Sequence, residues 1–344
     1  MDIQFRKIAK LSLILVYLVI VAGAVVRMTG SGMGCPDWPK CFGYYIPPTE
    51  ESELQWHPNR IYKKGQVIIK DQALQVSRET FTTGTSFKET NWEVYTKHDY
   101  AVFNPWHTWI EYINRLLGAL AGLATLLLAL FSLKYLKQKK RIPLLSWLVV
   151  FGMVFQAWLG ATVVYSVLEP VKITVHMFMA LVIVALLLYI IYLANEENKH
   201  IRFDRLTLNL SIFALALTLI QIIMGTQVRQ FVDEQIDLYG YAAKNKWLSD
   251  PDLLFYVHRS FSILVLLVNS FLAYRIINLN LGHFKIYWVL FLLFVEILTG
   301  MAMYYVNFPF ASQPLHLVLA SILFGVQFYI VLDALKPRKK VETS

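Results

Sequence analysis

The chain has 344 residues, of which 57% are hydrophobic and only 16% are charged. A soluble globular protein carries about 25% charged residues, so this composition excludes a disordered chain or a coiled coil and argues against a soluble enzyme. The net charge of +9 indicates, in so apolar a chain, cytoplasmic membrane anchors, and we expect no nucleic-acid partner.

Eight stretches of the sequence are long and apolar enough to cross a membrane, since a spanning helix needs about 20 such residues. They are residues 8–27, 106–133, 142–165, 171–194, 204–228, 252–277, 284–306 and 312–335. This pattern predicts an all-α polytopic membrane protein with eight transmembrane helices.

Positive charge predicts the orientation of these helices, because cytoplasmic loops are enriched in Lys and Arg. Basic clusters occur at residues 6–10, 134–141, 199–205 and 336–340. The three shorter connections on the opposite side carry only Lys172, Arg229, Lys244 and Lys246. We therefore expect both termini to lie in the cytoplasm.

The segment between the first two helices, residues 28–105, is long and mixed in charge. We expect it to form an extracytoplasmic cap. Within it, residues 66–70 (QVIIK) and 73–77 (ALQVS) flank Asp71 and Gln72. Two short runs of this kind around a two-residue turn predict a small β-hairpin.

Cys35 and Cys41 are the two cysteines of the chain, which is too few for a disulfide scaffold or an all-cysteine zinc site. They lie in the predicted outer segment, where an oxidising bacterial compartment favours a disulfide. Two interpretations stay open at this point. The pair is either a structural clasp or a redox-active pair near a functional site.

Four short motifs of the first half recur in the same order in the second half. The pairs are GAVVR (23–27) with GTQVR (225–229), EYINRLLG (111–118) with FYVHRSFS (255–262), QAWLGATVV (156–164) with VEILTGMAM (295–303), and ITVHMFMA (173–180) with QPLHLVLA (313–320). Because a four-helix unit returns the chain to its starting side, we expect two parallel four-helix repeats related by an axis along the membrane normal. Residues 1–195 form the first repeat and residues 196–344 the second.

The repeat aligns His258 with Asn114, and His316 with His176. Polar residues inside a membrane span are costly and therefore indicate function. At a rise of about 1.5 Å per residue, all four positions lie in the outer half of the membrane. Two histidines at similar depth on separate helices suit axial ligation of a haem iron. The alternative is a pair of core histidines that bond to neighbouring helices.

Four arginines lie near these positions. Arg115 and Arg259 directly follow the aligned Asn and His, whereas Arg27 and Arg229 close the first and fifth helices on the outer side. A guanidinium binds a carboxylate in a bidentate manner, so all four are candidate partners of haem propionates, above all the deeper Arg115 and Arg259. The alternative is snorkelling towards the interface.

Glu111 breaks the symmetry of the repeat, since it has no acidic counterpart in the second half. It precedes Asn114 by three residues and so shares its helical face. A carboxyl in an apolar site can exchange protons near neutral pH, which favours a catalytic role. The alternative is a simple ion pair with Arg115 at i+4. Glu296 and Gln156, which the repeat aligns with each other, are weaker candidates that could simply bond across helices.

On these motifs the chain resembles the haem A synthase family of membrane oxygenases. The resemblance covers nearly the whole length. It rests on VVRMTGSGMGCPDWPKC (25–41), EYINRLLG (111–118), QAWLGATVV (156–164), ITVHMFMA (173–180), VHRSF (257–261) and QPLHLVLA (313–320). The first motif is the most specific, and the order and spacing of the others support the resemblance.

The resemblance implies an eight-helix bundle whose C-terminal half holds haem b through the histidines that match His258 and His316. It implies that the N-terminal half receives haem O, with His176 as an axial ligand. There the C8 methyl of haem O would be oxidised to a formyl group, giving haem A for terminal oxidases. The catalytic glutamate of the family matches Glu111.

The resemblance also matches Cys35 and Cys41 to the cysteine pair of the family's first outer loop. It implies a multi-pass protein of the bacterial cell (inner) membrane that takes haem O as its substrate and uses an electron donor the sequence does not identify. We expect its partners to be the lipid bilayer, haem O synthase and other oxidase assembly proteins, and further copies of the chain.

The chain departs from the family pattern in two places. Asn114 replaces the histidine of the usual Glu-x-x-His-Arg motif, and the connection between the fifth and sixth helices lacks a second cysteine pair. An amide is a poor iron ligand, so we expect the haem of the N-terminal half to be five-coordinate, or ligated by water or another side chain. His107 lies about 10 Å higher on the helix and is not expected to replace the missing ligand.

Two other functions compete with this interpretation. A membrane b-type cytochrome would pass electrons through His258 and His316 and would need no Glu111. Extraction of haem O or haem A from the protein would exclude it. A transporter with buried polar residues at a repeat interface would be colourless, and three histidines at matching repeat positions argue against it.

Overall fold

The computed structural model describes residues 2–195 and 201–335. In that part of the chain, eight helices are long and apolar enough to cross a membrane. They are α1 (Ile3–Met28), α2 (Pro105–Ser132), α3 (Arg141–Tyr165), α4 (Pro170–Ala194), α5 (Arg205–Tyr239), α6 (Leu253–Asn278), α7 (Ile286–Tyr305) and α8 (Ser312–Ala334). The predicted all-α polytopic class is confirmed. Two of the basic clusters used to predict the orientation extend into residues that the structure does not describe: Lys199 of the third cluster and all of the fourth, residues 336–340. The orientation stays a prediction.

Local chemistry fixes where several helices begin. Pro105 and Pro170 occupy the first positions of α2 and α4, where the missing N–H of proline costs nothing. Asp204 caps α5 by accepting the Thr207 N–H at 2.8 Å. Such caps satisfy backbone donors that the first turn of a helix leaves without partners.

Helix α5 extends beyond its predicted end at residue 228, as far as Tyr239. Its last turns are amphipathic rather than apolar, so a search for continuous apolar residues stops too early. Val232 and Ile236 pack in a small core with Trp247 and Phe308. The helix stops at Gly240, whose φ of +79° suits a residue without a Cβ.

The connection between α1 and α2, residues 29–104, is named the cap here. Its strands are β1 (Ile61–Tyr62), β2 (Val67–Lys70), β3 (Ala73–Ser77), β4 (Phe81–Thr82) and β5 (Trp92–Val94). Strands β2, β3 and β5 form an antiparallel sheet, and β1 pairs with β4. The predicted hairpin is confirmed: Lys70 pairs with Ala73. Both turn residues, Asp71 and Gln72, have positive φ, as a tight hairpin turn requires.

The described chain divides into two compact units. One is drawn from Met1–Tyr17, Ala124–Val150 and Phe178–Ser344 and includes α5 to α8. In it α5 packs on α6, α6 on α7, α7 on α8, and α8 again on α5, so the four helices close a ring. The other unit, Leu18–Leu123 and Phe151–Met177, contains the cap and the helical turns that adjoin it.

Candidate functional site

The ring of α5 to α8 brings two of the predicted site histidines to the same level. His258 lies in the second turn of α6 and His316 in the second turn of α8. At about 1.5 Å per residue they lie about 7 Å and 6 Å from the starts of their helices. Because α6 and α8 occupy diagonal corners of the ring, the two imidazoles come from opposite walls of one four-helix bundle.

Each of these histidines has a glycine on the neighbouring helix. A Cβ on Gly225 of α5 would lie 3.2 Å from Cε1 of His258, and a Cβ on Gly300 of α7 would lie 3.7 Å from Cε1 of His316. The first distance is shorter than an ordinary contact. At Gly225 a larger residue would therefore push against the ring of His258, whereas at Gly300 a Cβ would make an ordinary contact with the ring of His316.

The Nδ1 atoms of the two histidines differ in their surroundings. Nδ1 of His316 lies 2.7 Å from Oε2 of Glu296 and 2.8 Å from Oγ1 of Thr299. Within the described residues, Nδ1 of His258 is buried without a hydrogen-bond partner, and Gln221 instead donates to the His258 carbonyl at 3.0 Å. Because a carboxylate beside Nδ1 holds the proton on that nitrogen, His316 presents a free Nε2 lone pair.

The same arrangement recurs between α3 and α4. Gln156 donates to the carbonyl of His176 at 2.8 Å, as Gln221 does to that of His258. A Cβ on Gly160 would lie 3.4 Å from Cε1 of His176. Between α1 and α2 the place of the histidine is taken by Asn114, and a Cβ on Gly23 would lie 4.0 Å from its Oδ1.

Glu111 lies at the junction of α2 and the cap and is only 4% exposed. Its Oε2 accepts the N–H of Cys35 at 2.7 Å, and its Oε1 forms an ion pair with Nη2 of Arg115. The ion pair at i+4, one of the two interpretations of this residue, is thus present. Each carboxylate oxygen has a second lone pair, so both can still accept a proton or a water.

Arg115 fastens the beginning of the cap to α2. Its Nη1 donates to the carbonyls of Asp37 and Lys40 at 2.7 and 2.9 Å, and its Nη2 donates to the carbonyl of Cys35 at 2.8 Å. The cap also approaches α2 closely at Gly34, where a Cβ would lie 2.3 Å from the carbonyl oxygen of His107. Only glycine fits there.

The cap segment over Glu111 is closed by a disulfide between Cys35 and Cys41, which confirms the predicted pairing. Both cysteines are buried, at 0% and 2% exposure. Within this loop the carboxylate of Asp37 accepts the N–H groups of Phe42 at 2.5 Å and Gly43 at 2.8 Å. Burial raises the pKa of Asp37, and these two donors together with the charge of Arg115 oppose that rise.

The other predicted arginines have different neighbours. Arg229 pairs with Asp233 one turn further along α5, at 2.7 Å. Nη2 of Arg259 lies 3.4 Å from the hydroxyl of Tyr305, and its guanidinium lies over the ring of Tyr304. Arg27 lies in the last turn of α1.

These residues fit a haem group. Among the described residues no three or more His, Cys, Asp or Glu side chains converge as a free metal ion would require, whereas haem iron needs only one or two axial ligands. His258 and His316 supply two imidazoles from opposite walls, each next to a glycine of the neighbouring helix. His176 supplies one imidazole in the N-terminal half, also beside a glycine.

Three contributors to the site were not identified from the sequence. Gln221 holds the backbone of His258, Thr299 contacts His316, and a glycine faces each ring. A sequence signal for them exists. Gln156, Gln221 and Glu296 each precede a glycine by four residues, which places the polar side chain and the glycine on one helical face.

Comparison with known proteins adds an independent finding. The family model described as cytochrome oxidase assembly protein (COX15-CtaA) matches residues 6–82 and 55–328. A haem A synthase of Shewanella oneidensis is 26% identical over 242 residues, which cover 70% of this chain and 58% of that protein. Haem A synthases of Ehrlichia ruminantium (strain Gardel) and Bacillus cereus are 23% and 24% identical, over 92% and 94% of this chain and 89% and 90% of theirs.

Proposed function

This chain belongs to the cytochrome oxidase assembly protein family, and from that membership we propose that it is a membrane oxidoreductase that converts haem O into haem A for terminal oxidases. The haem A synthases it resembles carry this activity in their name. A membrane b-type cytochrome without haem modification is not favoured, because it gives Glu111 and the closed cap above it no role. The observation that carries the proposal is the buried carboxylate of Glu111, which precedes Asn114 on α2 by three residues. Asn114 occupies the position that corresponds to His258 in the repeat.

We assign the two halves different tasks. Residues 196–344 would hold haem b through His258 and His316, and residues 1–195 would receive haem O at His176. When bound, haem b supplies one-electron redox chemistry through its iron. Glu296 fixes the orientation of the His316 ring through Nδ1. Gln221 and Gln156 bond only to the backbone carbonyls of His258 and His176.

Oxidation of a methyl to a formyl group breaks two C–H bonds, adds one oxygen atom and removes four electrons, which dioxygen can accept (R–CH3 + O2 → R–CHO + H2O). Because the protons that leave the carbon end in water, the site needs a group that takes up protons and passes them on. We assign this role to Glu111, whose Oε1 and Oε2 keep one lone pair each after their bonds to Arg115 and Cys35. Arg115 holds the carboxylate in place through their ion pair. The disulfide and the Asp37 bonds keep the cap closed over it and so exclude bulk water.

Arg259 is the better of the two deep arginines for a propionate. Arg115 uses both terminal nitrogens on the cap and on Glu111. Arg259 has only a 3.4 Å bond to Tyr305 and a contact with the Tyr304 ring. A propionate would replace this weak bond with a charge-assisted one.

The substitution Glu111→Gln tests the catalytic assignment. We expect the purified variant to keep the absorption of the haem at His258 and His316 while haem O accumulates and haem A is lost. The substitution also weakens the attachment of the cap, because glutamine has one carbonyl oxygen in place of the two carboxylate oxygens that contact Cys35 and Arg115. Asp37→Asn is the matched control, since it weakens the same loop without touching Glu111. Equal loss of haem A in both variants would reduce Glu111 to a structural role.

A further inference from the structure

Position 114 is the exception among four equivalent places in the fold. In three of them a histidine imidazole packs beside a glycine of the preceding helix: His176 beside Gly160, His258 beside Gly225 and His316 beside Gly300. In the fourth, Gly23 faces Asn114. Gly23 thus occupies the place of the ring-facing glycines, although position 114 has no imidazole ring.

The side chain of Asn114 does not reach as far as an imidazole would. Its Oδ1 lies two bonds from Cβ, whereas Nε2 of a histidine lies three bonds away, so the amide ends short of where a ligating nitrogen would be. Within the described residues, Oδ1 of Asn114 is buried and has no hydrogen-bond partner. A buried amide oxygen without a partner is costly, unless something bound next to it supplies a donor.

The chemistry of an amide decides what that bound species is. An asparagine offers one acceptor oxygen and two donor hydrogens, but the side chains that bind haem iron in proteins are those of His, Cys, Met and Tyr. Asn114 is therefore suited to hydrogen-bond a small iron ligand rather than to be one. In the C-terminal ring, His258 and His316 would both serve as iron ligands, so a haem held there would have no room for a small ligand.

We propose that haem O, when held at His176, would have no second protein ligand from Asn114, and that the space beside Asn114 binds a small neutral iron ligand such as water or a diatomic gas. The amide of Asn114 is its hydrogen-bonding partner. This inference rests on the proposed binding of haem O in that half. It makes the two haem sites chemically distinct: one closed to external ligands and one open.

Carbon monoxide is the probe for the test, because it binds ferrous haem only where an axial position is free or easily vacated. The full-length protein would be loaded with haem O, reduced, and titrated with carbon monoxide while absorption and the infrared C–O stretch are recorded. The variants are Asn114→His, which supplies the missing imidazole, and Asn114→Ala, which keeps the position open but removes the amide.

We expect the wild-type protein to bind carbon monoxide at the N-terminal haem only. Asn114→His should lose at least nine tenths of this binding and show a low-spin six-coordinate spectrum. Asn114→Ala should still bind, about fivefold more weakly and with a shifted C–O stretch, as expected for the loss of one hydrogen bond.

Two results would overturn the inference: a six-coordinate N-terminal haem that ignores carbon monoxide in the wild type, or unchanged binding in Asn114→His. Neither depends on turnover. A protein that makes haem A yet has a closed N-terminal haem refutes the open position alone. A protein that binds carbon monoxide as described but never makes haem A refutes the proposed function alone.

Discussion

The contact between Glu296 and His316 gives the most specific energetic prediction. The carboxylate Oε2 lies 2.7 Å from Nδ1 of His316, and Glu296 is only 11% exposed in its side chain. No such carboxylate stands beside the aligned His176, where Gln156 occupies the equivalent place and bonds to the backbone instead. Replacing Glu296 therefore isolates the effect of the charge on one of the proposed haem ligands.

The size of the effect follows from the geometry. A hydrogen bond to a charged group contributes about 1.5–3 kcal/mol, and removal of a partner behind a metal ligand costs about 10–100-fold in affinity, which is the same range at about 1.4 kcal/mol per tenfold. Glu296→Gln keeps an acceptor, and Thr299 still lies 2.8 Å from Nδ1. We expect about tenfold weaker haem binding for Glu296→Gln and about 100-fold for Glu296→Leu.

The assay is transfer of haem from the purified protein to an excess of a soluble haem-binding protein, combined with a redox titration. Loss of the carboxylate makes the imidazole a weaker donor, so the midpoint potential of the C-terminal haem should rise in both variants. Gln221→Leu is the control, since it removes a bond to the His258 backbone but leaves Nδ1 unaffected. The reasoning would be refuted if Glu296→Leu retained haem as firmly as the wild-type protein and had the same midpoint potential.

Three further predictions follow from contacts elsewhere. Gly225→Ala places a Cβ 3.2 Å from the imidazole of His258 and should weaken haem binding about fivefold. Gly300→Ala places its Cβ 3.7 Å from the imidazole of His316 and should leave haem binding unchanged. The haem content per protein is measured for both variants. Cys41→Ser opens the disulfide and should cost about 2 kcal/mol, seen as proteolysis of the cap roughly 30-fold faster; an unchanged rate would contradict the clasp. Hydrogen bonds from Thr207 lower the pKa of Asp204 below its ordinary value of 3.8, so Asp204→Ala should destabilise α5 by about 1 kcal/mol at pH 7. That difference should begin to shrink in thermal melts as the pH falls below about 3.8 and should be lost as it falls through the lower pKa of the folded state.

Much of the fold could be predicted because a membrane imposes simple rules. Helix lengths and the hairpin at Asp71 and Gln72 follow from apolar runs and turn chemistry that act locally. The end of α5 could not be predicted in this way, because Val232 and Ile236 are held by residues far along the chain, Trp247 and Phe308.

The sequence names candidate ligands, which stay a prediction, but it does not reveal the contacts that surround them. The internal repeat singles out His176, His258 and His316, since intramembrane polar residues are rare. The roles of Arg115 and Glu296 depend on atoms brought together by tertiary packing. Arg115 donates to three carbonyls of the cap, which no spacing along the sequence reveals.

The same limit applies to the cysteine pair. The sequence predicts that Cys35 and Cys41 bond to each other, but not that the N–H of Cys35 binds the carboxylate of Glu111. That bond joins the disulfide loop to the proposed catalytic residue. A structural clasp is the simpler account of a pair this deeply buried.

Identification of the haems in the purified protein by extraction and mass spectrometry tests the central claim most directly. The protein would be supplied with haem O and a reductant in the presence of air. The account predicts haem b together with haem A, which carries a formyl group in place of the methyl of haem O. Recovery of haem b with unchanged haem O, or of haem b alone, would contradict it.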